Sequence, residues 1–251
     1  MFYGYGILNN HVPTLKATAM RGGSTSPFLT SLYAVYKGES NANDSLGTYN
    51  GTAQGGLTYS GGKSGNAFTF NGTNAYVSLP NNMFNSFTDD FSINLWVNIV
   101  ENGTLQTLLA CKAYDGINAW GFSLFNTGTT RFDISNGTST AVTLLEPGIN
   151  NPYNTWYMIT ITRKTSTGTK IYYNGTLTAS NTSTVNPVYN PTTNKCTIGA
   201  YDLTYPISVG VFYHCANGTK IDELNTWTKE LTATDVTTLY NAGVGKFYPT
   251  F

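Results

Sequence analysis

Charged side chains are scarce in this chain of 251 residues. Lys, Arg, Asp and Glu together make up 10% of it, against about 25% in an average globular protein. Thirteen basic residues balance thirteen acidic ones, so no net charge favours nucleic acid or an anionic membrane. No apolar run approaches the length that spans a bilayer. Neither nucleic-acid binding nor membrane insertion is therefore expected.

Residues that could carry out catalysis are also few. The only histidines are His11 and His214, and no nucleophile elbow accompanies the second. Glycoside hydrolysis with retention needs two carboxylates about 5–5.5 Å apart, and inversion needs a wider pair. Asp89 and Asp90 are adjacent and would point to opposite faces of a strand. The glutamates are isolated from one another: Glu39, Glu101, Glu146, Glu223 and Glu230. The chain is predicted not to be an enzyme.

Cysteine occurs three times, at Cys111, Cys196 and Cys215. The number is odd and the spacing is not that of a metal site. The sequence favours free, buried thiols that pack as small apolar side chains. A bridge between Cys196 and Cys215 is the one pairing that it leaves open.

The composition that remains is typical of a mainly β protein. Hydrophobic residues make up 40% of the chain and aromatic residues 14%, which is enough for one large core. Polarity comes from Asn, Thr, Ser and Gly. Thr branches at Cβ and favours strands, whereas Asn and Gly accept the left-handed backbone of turns.

The tripeptide Asn-Gly-Thr recurs along the chain and predicts tight turns. Asn-Gly accepts positive φ at both central positions of a hairpin turn, and Thr can then begin the next strand. The same tripeptide matches a glycosylation acceptor, but the turn is the favoured interpretation. It starts at Asn50, Asn71, Asn102, Asn136, Asn174 and Asn217.

Segments of alternating polarity lie between these turns. In residues 91–98, Phe91 and Ile93 share one face of a strand with Leu95 and Val97, and polar residues and Trp96 share the other. Further strands are predicted at 67–70, 76–79, 121–125, 131–134, 157–162, 170–173, 196–199 and 220–224. One short helix is predicted near the end, with Thr232 as its cap, Asp235 three residues later and Gly243 as its stop.

The first 28 residues lack strong alternation and contain a flexible Gly-Gly-Ser-Thr-Ser-Pro run. We predict an attachment arm over residues 1–28 and a single sandwich domain over residues 29–251. The alternative is that the first residues add a strand to the sandwich. The opening sequence lacks the charged front and apolar run of a secretory signal, so production without classical secretion is expected.

An ordered set of short motifs follows from Leu32 onward. It comprises Asp44-Ser45 before Asn50-Gly51-Thr52, the stretch 65–72 with 75–77, the Phe-Ser…Trp strand 91–97, the hairpin ending in Asn174-Gly175, and Ile221-Asp222-Glu223-Leu224 before the helix. This order resembles the concanavalin A-like, laminin G domain of the pentraxin-related variety, with Tyr36 where Trp is usual. The resemblance implies an all-β jelly-roll sandwich of two antiparallel sheets with one short C-terminal helix.

The resemblance also implies a structural calcium ion, held by an Asp of the closing strand and by nearby loop oxygens. Asp222 matches that Asp, and Asn71, Gly72 and Asp44 lie in loops that could approach it. Calcium takes carboxylate, amide and carbonyl oxygens, although Asn replaces the more usual Asp at position 71. The alternative is that Asp222 accepts backbone amides or pairs with Lys220.

Two loops combine aromatic rings with polar groups, as glycan binding requires. The first contains Tyr114, Asp115, Asn118 and Trp120, and the second contains Tyr201, Asp202 and Tyr205. Because aromatic residues are frequent throughout the chain, a structural role for both loops is the alternative.

We therefore expect a non-enzymatic surface protein of a bacteriophage virion: a capsid decoration, head fibre or tail adhesin. Its domain would bind host-surface glycans, and its arm would bind other virion proteins after assembly in the host cytoplasm. The alternatives are an architectural capsid or tail protein that binds no sugar, and a carbohydrate-binding adhesin that is extracellular or on a cell surface. The sequence leaves homo-oligomerisation open.

Overall fold

The computed structural model describes residues 26–114, 118–138, 140–146, 151–190, 194–201 and 213–251. The strands in these ranges are β1 Leu32–Tyr36, β2 Thr52–Gln54, β3 Thr58–Gly61, β4 Asn66–Thr69, β5 Tyr76–Leu79, β6 Phe91–Asn98, β7 Gln106–Tyr114, β8 Ala119–Asn126, β9 Thr130–Asn136, β10 Thr140–Leu145, β11 Trp156–Lys164, β12 Gly168–Tyr173, β13 Thr176–Asn181, β14 Lys195–Ile198 and β15 Lys220–Trp227. One α-helix, α1 Ala233–Tyr240, and a 3-10 turn, Asn241–Gly243, follow them.

The strands form two antiparallel sheets. The first sheet has the order β13-β12-β11-β6-β15-β4-β3, with β1 also paired to β15. The second sheet has the order β10-β9-β8-β7-β14-β5-β2. The chain crosses between the sheets repeatedly, as in a jelly roll. The predicted fold class is confirmed.

The main core lies between the two sheets, where the apolar residues of alternating strands meet. Phe91 and Ile93 of β6 belong to it, as the alternation predicted. Phe91 packs against Phe122 of β8, with ring centroids 6.2 Å apart. Burying a side chain of this size stabilises a fold by about 1.5–3 kcal/mol, so these aromatic rings make a large contribution to holding the sheets together.

A second apolar cluster covers the outer face of the first sheet. Trp96 and Trp227 point to this face, and Val236 and Leu239 of α1 pack with them. The Tyr240 ring stacks on Trp96 at a centroid distance of 5.9 Å. Because α1 and the end of the chain occupy this face, the central strands β6, β11 and β15 are buried on both sides.

The predicted cap of α1 is confirmed. The Thr232 hydroxyl accepts the Asp235 amide, and the Asp235 carboxylate accepts the Thr232 amide, which together form a capping box. The end of the helix differs from the prediction. Asn241 takes the left-handed conformation that stops α1, and Gly243 lies in the 3-10 turn that follows.

The Asn-Gly pairs lie in turns and loops, but only one has positive φ at both residues. In the tight connection between β12 and β13, Asn174 has φ 47° and Gly175 has φ 81°. At Asn71, Asn102 and Asn136 the side chain instead accepts the amide two residues later. These asparagines act through such local hydrogen bonds, which is a mechanism that the hairpin prediction did not include.

The prediction of free, buried thiols is wrong for Cys111 and Cys196 and is confirmed for Cys215. Cys111 of β7 and Cys196 of β14 are direct cross-strand partners joined by a disulfide, whereas Cys215 is a free, buried thiol. Because Cys196 is bonded to Cys111, the bridge between Cys196 and Cys215 does not form. The Cys215 thiol instead donates to the Thr107 carbonyl at 3.1 Å. Burial raises the pKa of this thiol well above its ordinary value.

Most of the predicted arm, residues 1–25, lies outside the described residues. Its last residue, Phe28, is buried in the second cluster. The Trp227 indole donates to the Phe28 carbonyl at 2.8 Å, so the chain is attached to the sandwich from this point onward. In the described part of the chain, no helix has the length and apolar character needed to cross a membrane.

Candidate functional site

The outer face of the second sheet carries a row of small polar side chains. Direct cross-strand partners share one face of a sheet, so their register identifies the row. All of its members except Ala110 have a hydroxyl or carboxylate group. We call this set the hydroxyl row: Thr52, Ser78, Thr197, Ala110, Ser123, Asp133 and Thr143.

Part of the hydroxyl row lines a pocket on the outer surface of β5 and β14. The pocket has a volume of about 320 Å³. The row contributes Ser78 and Thr197, and the same two strands also contribute Tyr76 and Lys195. Asn81 of the loop after β5 completes the polar lining. These groups donate and accept hydrogen bonds over a short distance, as recognition of a polar ligand requires.

An ion pair lies on the same face, above β9. The Arg131 guanidinium binds both oxygens of Asp133, at 3.0 Å and 2.7 Å. Asp133 is buried, whereas the Arg131 side chain is 41% exposed. Asp133 is the only acidic residue in the strands of the second sheet. Both oxygens of its carboxylate are engaged by one guanidinium.

Lys112 of β7 is almost completely buried beside this pair. It is 6% exposed, and its Nζ lies 5.7 Å from the centre of the Tyr201 ring. Burial lowers the pKa of Lys112; the Asp133 carboxylate opposes this effect, and the Arg131 charge adds to it. Its direct cross-strand partner is Lys195, so two lysines are adjacent on the outer face.

Aromatic rings pack over β7 and β8. The Tyr201 ring meets Phe125 edge-on at 5.8 Å and stacks with Tyr213 at 6.3 Å. Tyr201 is buried, whereas Tyr213 is half-buried. Tyr213 is therefore the more accessible platform of this cluster.

The predicted glycan residues do not all meet. Tyr201 lies on the outer face of the second sheet. Trp120, the second residue of β8, is half-buried next to Gly137, and the alternation of the strand places it on the opposite face of the sheet. Asn118 is half-buried just before β8 and makes contacts of its own. The others, the Tyr114 side chain with Asp115, Asp202 and Tyr205, lie outside the described residues.

The predicted calcium residues each have hydrogen-bonding partners. Both oxygens of Asp44 accept backbone amides, including that of Val35 at 2.9 Å. The side-chain oxygen of Asn71 accepts hydrogen bonds from three backbone amides of its own loop. Gly72 has the positive φ that this loop requires.

Asp222 accepts the amides of Lys63 and Ser64 at 2.7 and 2.9 Å and that of Glu223 at 2.8 Å. Lys220 donates to the Gly61 carbonyl instead of pairing with Asp222. No group of three or more histidine, cysteine, aspartate or glutamate residues suited to a metal occurs among the described residues. The calcium ion stays a prediction.

Glu223, next to Asp222, has an unusual environment. It is fully buried and its backbone has φ 47°. Among the described residues, neither of its carboxyl oxygens has a hydrogen-bonding partner. Burial, together with the nearby Asp222 charge, raises the pKa of Glu223 to about 8. Burial likewise raises the pKa of Asp222 to about 7, although three amides oppose it. The two groups are therefore partly protonated near neutral pH.

Sequence reasoning missed Lys112, Lys195, Asp133 and Tyr213. Alternation in residues 121–125 indicates that Ser123 faces away from the core. It cannot show which residues of β7, β9 and β14 lie beside Ser123, because that depends on register between strands distant in sequence.

Comparison with known proteins agrees with this architecture. Residues 71–237 match the family model described as the concanavalin A-like lectin/glucanases superfamily, of the laminin G type. No curated protein sequence matches the chain.

Several solved structures share the fold. Domain 4 of AbnA, a GH43 extracellular arabinanase from Geobacillus stearothermophilus, in complex with arabinotriose, is similar with a TM-score of 0.60 and 20% identity, over 86% of this chain and 98% of that one. The binding domain of botulinum neurotoxin DC, in complex with SialylT, gives 0.61 and 18%, over 85% of this chain and 52% of that one. The binding domain of Paraclostridial Mosquitocidal Protein 1 gives 0.64 and 16%, over 85% and 52%. This chain spans about half of the toxin binding domains. From the family match, the chain belongs to the concanavalin A-like lectin/glucanase superfamily.

Proposed function

We propose that this chain binds glycans through the outer face of its second sheet. The observation that carries the proposal is the hydroxyl row, which crosses the sheet and opens into the pocket above β5 and β14. The opposite face of the sandwich is occupied by α1 and the end of the chain. The second sheet is therefore the better candidate for an extended ligand.

The side chains of this face suit a sugar. Small hydroxyl groups such as Ser78 let a pyranose ring approach the sheet while they exchange hydrogen bonds with it. Tyr76 and Tyr213 add aromatic surface for the CH groups of a sugar. A lectin-like family and a similar arabinanase domain in complex with arabinotriose support this assignment.

The proposed activity is binding without catalysis. Hydrolysis of a glycosidic bond uses two carboxylates, and the strands of the second sheet contain Asp133 alone. Its two oxygens are bound by Arg131. Incubation of glycans with an excess of the protein, followed by an assay for reducing ends, tests this part of the proposal. The release of new reducing ends would contradict it.

We further propose that the domain acts outside a cell, as a virion surface protein that contacts host glycans. The Cys111–Cys196 disulfide supports an exterior location, since disulfides persist on virions, on cell surfaces and in secreted proteins. An extracellular or cell-surface adhesin is the alternative. A chain that begins at Ser26 should keep its melting temperature and lose attachment to its particle; retained attachment would refute the role of the arm.

Glycan binding is tested on an array with the wild-type chain and Ser78→Phe. The phenyl ring would fill the pocket, so we expect affinity for the best glycan to fall by about tenfold or more, or about 1.4 kcal/mol. Thr58→Phe, on the exposed β3 of the first sheet, is the matched control. No binding by the wild type, or equal binding by Ser78→Phe, would overturn the proposal and favour an architectural protein.

A further inference from the structure

We propose that the site prefers acidic saccharides, whose carboxylate or sulfate group lies against Lys195 in the pocket. The inference rests on the proposed glycan binding and adds to it the class of ligand. Lys195 is half-buried in the wall of the pocket and is the only charged residue in its described lining. The remaining polar lining consists of hydroxyl groups and the Asn81 amide.

The strands of the second sheet have an excess of positive charge, although the whole chain is neutral. Their charged residues are Lys112, Arg131, Lys195 and the single acid Asp133. Arg131 and Asp133 neutralise each other through two hydrogen bonds. The two lysines remain, and they are cross-strand partners.

Like charges placed directly opposite each other destabilise a sheet. Among the described residues, no hydrogen bond or ion pair provides an acceptor for the ammonium group of Lys112 or of Lys195. Since Lys112 is only 6% exposed, water has little access to it. The hydroxyl of Ser123, on the strand beside Lys112, is also fully buried and has no hydrogen-bonding partner in the described part of the chain. The polar groups of this face are thus incompletely satisfied by the protein itself, and an anion bound beside the two lysines would relieve their repulsion.

The pocket can distinguish an acidic sugar from a neutral one. A carboxylate or sulfate would accept a charge-assisted hydrogen bond from the Lys195 ammonium group, which is about twice as strong as a neutral one. Ser78 and Tyr76 would bind the hydroxyl groups of the same sugar, and no lining carboxylate would repel the anion. A neutral sugar would gain only the second set of contacts.

The test compares matched ligands by titration calorimetry with the full chain. The probes are an oligogalacturonide, the same oligosaccharide with its carboxyl groups reduced, a heparin-derived oligosaccharide and its desulfated form. We expect at least one acidic probe to bind about tenfold more tightly than its neutral counterpart. The pair that shows the difference identifies the anion as carboxylate or sulfate.

Two variants separate a specific contact from general attraction. Lys195→Gln should abolish the preference for the acidic probe. Lys220→Gln, which removes the same charge from β15 of the first sheet, should preserve it. Equal binding of acidic and neutral probes, or an equal loss in both variants, would overturn the inference while glycan binding stands. No binding of any probe, together with an empty array, would overturn both.

Discussion

Cys111 and Cys196 lie directly opposite each other on β7 and β14 and are joined by a disulfide across 85 residues of sequence. The next pair along the same ladder is Lys112 and Lys195. The disulfide therefore fixes the register of the two strands that carry the lysines of the proposed site. It joins β14, which lines the pocket, to β7, over which the Tyr201 cluster packs.

Reduction of this disulfide should destabilise the domain and weaken glycan binding together. Loss of a native disulfide typically costs about 2–5 kcal/mol, more for long loops. We expect the double variant Cys111→Ser, Cys196→Ser to have a free energy of unfolding lower than that of the wild type by about 2–5 kcal/mol. It should therefore unfold at a lower denaturant concentration. Denaturant unfolding with and without reductant measures it.

Cys215→Ser is the control for this prediction, because that thiol is buried and outside the disulfide. The control should keep the wild-type response to reductant, and the double variant should lose it. A wild type whose unfolding does not change with reductant would contradict the prediction.

Stability should fall as pH rises from about 5 to about 8, because of Asp222 and Glu223. Burial raises their pKa values to about 7 and about 8, whereas carboxyl groups in an unfolded chain titrate near 4. Between these values the folded state binds more protons than the unfolded state, so the free energy of unfolding decreases with pH. Melting temperatures across this range, for the wild type and for Glu223→Gln, check the sign.

Glu223→Gln replaces the carboxyl group by a neutral group of similar shape and should flatten the pH dependence. Glu101→Gln, at an exposed loop position, should leave the slope unchanged. Identical slopes in all three proteins would contradict the assignment. The melting temperature could instead rise with pH when calcium is added. If a chelator abolished that rise, the result would support the predicted calcium ion.

Local patterns explain why much of the fold could be predicted. The alternation of residues 91–98 identifies the two faces of β6, and the Thr232–Asp235 pair identifies the start of α1. Each of these signals lies within one element, where backbone geometry alone determines which side chains meet.

The rest depends on pairing between distant segments. Cys111 meets Cys196 because β14 pairs with β7, and nothing in either segment by itself specifies that register. The Asn-Gly pairs show the same limit. Six identical tripeptides adopt different turns because the strands they connect differ, and only Asn174-Gly175 joins neighbours in a two-residue turn. The predicted glycan residues came from two aromatic loops, and of these Tyr201 lies on the outer face of the second sheet. The two lysines of the proposed site lie on separate strands, β7 and β14.

Arg163 is buried in β11 and holds the segment that leads from the first sheet to the second. Its loss should destabilise the domain strongly. From β11 of the first sheet its guanidinium donates to the carbonyl groups of Ser183 and Val185 and to the Asn186 side chain, at 2.7–3.0 Å. Two residues later, Val188 donates to the Ser135 carbonyl in the second sheet at 3.1 Å. The guanidinium thus holds the segment that passes from one sheet to the other.

Arg163→Lys should lower the free energy of unfolding by about 2–4 kcal/mol, because an ammonium group cannot reproduce a planar fork of donors and would leave buried carbonyl groups unpaired. Lys164→Met, at the adjacent residue with a side chain that is 46% exposed, should change it by less than about 1 kcal/mol. Denaturant unfolding of both variants measures the difference. If Arg163→Lys and Lys164→Met are equally stable, the Arg163 guanidinium is not what holds the segment 183–188 in place. The contact of Val188 with the second sheet would then be independent of Arg163.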